Sequence, residues 1–230
     1  MTEQQIFNFK SSSAYLEDNF IKDISNKEAL NFFYNFPKWD NKLINLYGEK
    51  KSGKTFLLNI FKKKHNFLYL DNTIEFEKNF ENLFCEEKLI IDNILIDEHK
   101  MFSLINHFKL HNKYLIISSR TPLTSHDINL KDLSSRLKEF YLLEIKNPSD
   151  DLVYSLIIKY FSDNQVIIRK ELIENIVKKI DRSYLRINDF LYKLNNLSII
   201  KKKKIDYKFF KKILKFLIFI FSIYIFFFFL

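Results

Sequence analysis

The chain predicts an α/β fold, a parallel sheet flanked by helices and followed by a small all-helical domain, and three observations carry that prediction. Gly48-Glu49-Lys50-Lys51-Ser52-Gly53-Lys54-Thr55 joins a short apolar strand, 43–47, to an amphipathic helix over 55–62. Short apolar runs then alternate with helical patterns as far as Pro148. Past Pro148 the strands stop, and three helical patterns follow at about 150–161, 169–180 and 184–197.

The loop at 48–55 fits G-x-x-x-x-G-K-[ST] at every defined position and holds both glycines of the 230-residue chain. At a usual glycine frequency of about 7%, a chain of this length would carry roughly sixteen. Lys, Asn, Ile, Phe, Leu and Tyr crowd out Gly, Pro and Ala, so each residue that resists this bias informs more. Gly48 and Gly53 let the backbone approach a ligand and aim its N–H groups at phosphate oxygens, and the helix that follows adds its free N–H groups and dipole. In such a loop Glu49, Lys50, Lys51 and Ser52 supply the cradle, Lys54 reaches the β- and γ-phosphates, and Thr55 places its hydroxyl on Mg²⁺. The expected cofactors are ADP or ATP with Mg²⁺.

Charge and cysteine usage narrow the classes further. The net charge is +9, but residues 201–215 hold eight lysines against Asp206. Elsewhere 29 basic residues face 27 acidic ones, which leaves DNA contact by the body indirect or weak. Single Cys85 excludes an internal disulfide and fits a reducing compartment, so the expected location is cytoplasmic. The first residues are too polar for a signal peptide. Uncharged, apolar 216–230 would span about 22 Å as a helix, short of a hydrocarbon core of about 30 Å. It reads either as a marginal tail anchor or interfacial segment, giving weak membrane association, or as an unselected extension.

In chain order, Gln4, Phe7 and Phe9 form Q-x-x-[LF]-x-[LF] in an extended segment, a pattern suited to a partner's groove. Ser11-Ser12-Ser13 reads as a linker, and Ser25-Asn26-Lys27-Glu28 has capping-box form before a helix that Pro37 ends. A strand at 67–70 and a helix over 74–84 precede Lys88-Leu89-Ile90-Ile91-Asp92, a buried-type strand with an acid at its carboxyl end. Asp92 is there the candidate for the Mg²⁺ shell. Its follower, Asn93, cannot act as a base, which argues against fast intrinsic hydrolysis. Asp97 competes with Asp92 for that role but fits better as the cap of a helix over 98–110. His107 and His111, four apart on that helix, have no acidic or cysteine partner at matching spacing and read as packing residues. The strand at 114–117 ends in Ser118-Ser119, small polar groups at the position where a γ-phosphate can be sensed, or a plain serine-rich turn. A short helix over 130–137 carries Arg136, and 141–145 reads as the last strand.

Taken in this order, these segments resemble the AAA+ ATPases of the replication-initiator DnaA group over roughly residues 4–214. Within that group the chain is most similar to DnaA-related regulators of replication initiation, the Hda type in its short alphaproteobacterial form. Asp18-Asn19-Phe20-Ile21 with Ser25–Ala29 resembles the start of the ATPase domain. Phe36-Pro37-Lys38-Trp39, Arg120-Thr121-Pro122 and Asp132-Leu133-Ser134-Ser135-Arg136-Leu137 resemble W-P-x-W, R-T-P and D-L-x-S-R-L segments of those regulators. The resemblance implies that Gln4, Phe7 and Phe9 dock on the DNA polymerase sliding clamp, with Gln5 where a leucine is usual. It implies that Arg136 is an arginine finger acting in trans, with DnaA as the partner. The usual lid sensor falls by spacing at Asn188, with Arg186 and Arg182 one or two turns earlier. The implied division is a clamp-binding peptide and linker at 1–13, a nucleotide-binding base at 14–147, a helical lid at 148–214 and an apolar tail at 215–230.

The expectation is therefore a nucleotide-bound negative regulator that docks on the clamp and stimulates ATP hydrolysis by DnaA, with weak intrinsic turnover. Two alternatives stand beside it: an autonomous AAA+ ATPase of helicase-loader type, and a membrane-tethered, nucleotide-dependent interaction module. Homo-oligomerisation is left open.

Overall fold

A computed structural model describes residues 15–212. These divide into two compact units, one within 13–149 and one from 150 onward. The first opens with helix α1 (Lys27–Tyr34) and then alternates strand and helix: β1 (Leu43–Gly48), α2 (Lys54–His65), β2 (Leu68–Leu70), α3 (Thr73–Leu83), β3 (Lys88–Asp92), α4 (Glu98–Leu110), β4 (Tyr114–Ser119), α5 (Lys131–Leu137) and β5 (Tyr141–Ile145).

The strands form one sheet in the order β2-β3-β4-β1-β5, and every pairing is parallel. Parallel strands need crossovers and are covered on both faces, which is why β1, β3 and β4 are almost continuously apolar. Side chains alternate between faces. Leu43, Leu89, Ile91, Leu115 and Ile117 share one face with the buried residues of α3, α4 and α5. On α1 and α2, Phe33 and Phe61 meet edge-on at 4.8 Å, and Trp39 stacks on Phe61 at 5.5 Å while its indole N–H donates to the Phe32 carbonyl. β1 lies inside the sheet between β4 and β5, so the loop that follows it sits at the sheet's carboxyl edge with a strand on either side.

Two local readings are settled by hydrogen bonding. Ile94-Leu95-Ile96 forms no strand; Asp97 instead caps α4, its carboxylate accepting from the N–H groups of His99 and Lys100. Helix α1 ends at Tyr34, two residues earlier than a helix running to Phe36 would require.

The second unit holds α6 (Asp150–Asp163), α7 (Lys170–Lys179) and α8 (Tyr184–Ile200) around a core of Val153, Ile157, Phe161, Ile173, Ile176, Leu191 and Leu194, closed by Phe209 and Phe210. Its helices pack their apolar stripes together, the only way a helical pattern at 3.6-residue period buries itself without a sheet. Among the described residues no helix is long and apolar enough to cross a membrane; the apolar stretch 216–230 lies outside them.

Candidate functional site at the carboxyl edge of the sheet

The turn after β1 depends on glycine at two places for two reasons. At Gly48 a Cβ would stand 2.6 Å from the Ile145 carbonyl oxygen on β5, a backbone atom that cannot swing away. Gly53 caps α2 with φ +98°, a left-handed conformation that side-chain-bearing residues rarely adopt. Between them Lys51 also takes a positive φ, 70°. Lys50 and Lys51 are exposed, Glu49 is half-buried, and Ser52 is buried. The first turn of α2 therefore presents its unpaired N–H groups beside a loop of tightly curved backbone, the arrangement that binds anions.

Lys54 folds back into this loop. Its ammonium donates to the carbonyls of Gly48 (2.6 Å) and Glu49 (2.9 Å) and lies 3.4 Å from the Ser52 hydroxyl. Only 7% of the residue is exposed. Burial lowers its pKa to about 8; Asp92 opposes that shift, and the nearby Arg120 cation adds to it. At neutral pH the amine is still mostly charged, and its present partners are neutral carbonyls.

Asp92 lies on the neighbouring strand, buried, and gathers three hydroxyls. Thr55 Oγ1 donates to its Oδ2 at 2.6 Å, Tyr69 donates to the same oxygen at 2.7 Å, and Ser118 donates to Oδ1. The register explains the gathering, since Asp92 stands opposite Ser118 and Tyr69 opposite Ile90 on the same face as Asp92. Ser119 points to the other face. Its hydroxyl accepts from Asn45 at 2.9 Å and donates to the Thr121 carbonyl at 2.6 Å. Asn45 in turn donates to the Ile117 carbonyl and accepts from the Leu123 N–H, so this buried amide braces the β4 exit. The fold thus brings Gly48–Thr55, Asp92 and Ser118 into one cluster and gives Ser119 a separate one.

One residue joins the cluster that the sequence did not single out: Tyr69 reads in sequence as an ordinary strand aromatic. The available signal was positional, since it stands near the carboxyl end of a strand adjacent to β3. Asn93, with φ 55°, is exposed.

Arg136 is elsewhere. It sits on α5, whose chain continues through Glu139 to β5, and Tyr141 at the start of β5 pairs with Ile44 near the start of β1. That is the amino edge of the sheet, opposite the loop. The guanidinium donates to Asn106 on α4 (2.6 Å) and pairs with Glu139 at 2.9 Å. Glu139 also meets Lys109 at 2.5 Å, and its carboxyl is held below the usual range, chiefly by that lysine and then by Arg136. In the helical unit Arg182 pairs with Asp150 and donates to the carbonyls of Val177 and Ile180, and Arg186 pairs with Asp181. His107 and His111 lie ring to ring at 4.3 Å, and burial lowers the pKa of His107. Gln4, Phe7 and Phe9 lie outside the described residues.

No protein-family model matches the chain. It is 28% identical over 228 aligned residues to the chromosomal replication initiator protein DnaA of Buchnera aphidicola subsp. Cinara cedri. That alignment covers 87% of this chain and 52% of the other, so the chain spans about half the length of this relative. Its fold is similar to domain III of the Thermotoga maritima replication initiation protein DnaA, with a TM-score of 0.68 and 19% identity over 87% of this chain and 95% of that one. It is also similar to AMPPCP-bound DnaA from Aquifex aeolicus, with a TM-score of 0.63 and 20% identity over 81% and 66%. In sequence and in fold, the chain is similar to the replication initiator DnaA.

Proposed function

We propose that this protein binds ADP or ATP at the loop of residues 48–55 and acts as a regulator of replication initiation that stimulates ATP hydrolysis by DnaA. The observation that carries the binding step is the pairing of a loop-bound Lys54 ammonium with a Thr55–Asp92 hydrogen bond of 2.6 Å at the carboxyl edge. Support also comes from the AMPPCP held by a DnaA of similar fold.

Nucleotide phosphate would draw Lys54 from the carbonyls of Gly48 and Glu49, exchanging neutral acceptors for a charge-assisted bond. The backbone N–H groups of the loop and the first turn of α2 would take the remaining phosphate oxygens. A hydroxyl and a carboxylate within one hydrogen bond are hard oxygen donors that suit Mg²⁺, so Thr55 and Asp92 would hold it, Asp92 through water. Bound there, Mg²⁺ neutralises phosphate charge. Ser118 fixes the Asp92 carboxylate from the β4 side.

Catalysis in this reading takes place in the partner. Asn93 follows Asp92 and cannot activate water, whereas Arg136 sits away from its own loop and is available to a neighbouring molecule's nucleotide once it releases Glu139. The N-terminal Gln4, Phe7 and Phe9 would tether the protein to the sliding clamp. The test is ATP hydrolysis by purified DnaA, with and without this protein and clamp loaded on DNA. Faster DnaA turnover that depends on the added protein is expected. Unchanged DnaA turnover, or robust turnover without DnaA, would replace the regulator with an autonomous ATPase.

A further inference from the structure

The Asp92 carboxylate has about four lone-pair positions, and three of them are taken by hydroxyls of the protein itself: Thr55, Tyr69 and Ser118. Thr55 and Ser118 fall at positions the phosphate-loop reading already uses. Tyr69 does not. Its placement is nonetheless built in detail. The Lys62 ammonium lies 4.8 Å from the centre of its ring, fixing the ring against α2. From β2 the hydroxyl reaches across to Asp92 Oδ2, the same oxygen that Thr55 binds.

We infer that Tyr69 is a positioning residue for the metal-bound nucleotide: its hydroxyl fixes Asp92 Oδ2 in register with Thr55, so that one acceptor position of Asp92 remains aimed at the water shell of the cation. The inference rests on the nucleotide-site reading above and deepens it. With Thr55 and Tyr69 on one oxygen and Ser118 on the other, the carboxylate cannot rotate about its terminal bond without breaking two or three hydrogen bonds. Removing Tyr69 leaves Thr55 as the sole anchor of Oδ2. The carboxylate then gains freedom that binding of the hydrated cation must remove again, a loss that falls on the metal-dependent part of the affinity alone. Outer-shell partners of this kind change metal affinity by about 10- to 100-fold when removed.

Tyr69→Phe keeps the ring beneath Lys62 and deletes only the hydroxyl. The test titrates wild type and Tyr69→Phe with a fluorescent adenine nucleotide, once in Mg²⁺ and once in EDTA, alongside thermal midpoints of both proteins. In EDTA the two dissociation constants should agree within about twofold, and in Mg²⁺ the variant should bind about tenfold more weakly. Equal weakening in both conditions together with a lowered midpoint identifies a merely structural tyrosine and overturns the inference. An unchanged ratio of the two constants overturns it as well. Ser118→Ala serves as the internal comparison: if it shifts the Mg²⁺-dependent ratio and Tyr69→Phe does not, Asp92 is positioned from β4 alone. Wild type that binds no nucleotide in either condition removes the nucleotide-site reading itself, and Tyr69 falls with it.

Discussion

Lys54 and Arg136 are the two cations assigned to phosphate in this molecule, and the fold holds them in opposite ways. Lys54 is buried in its own loop, and the carbonyls that accept from it are backbone groups within six residues. Arg136 is about a third exposed, and its acceptors are side chains, Asn106 on α4 and Glu139 beyond α5. One charge is enclosed by the backbone and lowered in pKa by burial. The other stays in contact with solvent, where an ion pair contributes little and can be exchanged. Under the proposed function, the cation that serves its own site is built in, and the one that would serve a second molecule is left on a surface it can leave.

The sharpest way to break this comparison is to remove the second cation. Arg136→Ala should leave the affinity of the protein for nucleotide unchanged, because nothing at the carboxyl edge touches Arg136. It should reduce stimulated DnaA hydrolysis by about 10³-fold or more, the lower range for an arginine finger. Stimulation that survives the substitution would make Arg136 a structural arginine and end its contrast with Lys54.

The first cation is probed by pH. Burial sets the Lys54 pKa at about 8 in the ligand-free protein, and phosphate beside the amine favours the charged form and raises it. Nucleotide binding thus takes up a proton above pH 8. Affinity should be flat near pH 7 and fall above about 8 by up to tenfold per pH unit. Lys54→Arg keeps its charge throughout, so its profile should be flat over the same range. A wild-type profile as flat as that of Lys54→Arg would mean that Lys54 never leaves the loop carbonyls.

How far the sequence discloses such a site follows the same local-versus-distant division. The glycine spacing of the loop is a local pattern, as are the strand that ends in Asp92 and the cap formed by Asp97, and all three are legible. So was the parallel sheet, because buried parallel strands read as apolar runs between helical patterns. The split of Ser118 from Ser119 was legible in principle, since adjacent strand residues face opposite ways; their joint reading as one sensor overlooked that. Tyr69 could not be read, because its hydroxyl meets a carboxylate 23 residues away and only the β2–β3 register brings them together. Arg136 itself was named from its segment, but its partner Asn106, 30 residues back on another helix, could not be.

The smallest effect tests whether Arg136 is held loosely enough to leave. Arg136 and Glu139 side chains are 36% and 33% exposed, and their pair is worth about 0.2–1 kcal/mol at such a surface. Glu139→Gln also removes the carboxylate from Lys109, so the two losses together should lower the thermal midpoint by no more than a few degrees. The same substitution frees the guanidinium from its charged partner while Asn106 still accepts from it. If the finger acts by leaving this site, stimulation by Glu139→Gln should match or exceed wild type within about twofold. A midpoint that drops by ten degrees or more, with stimulation lost in parallel, would show that the amino edge needs Arg136 where it stands. Arg136 would then be as firmly built in as Lys54, and the partner's nucleotide would have to find its cation elsewhere.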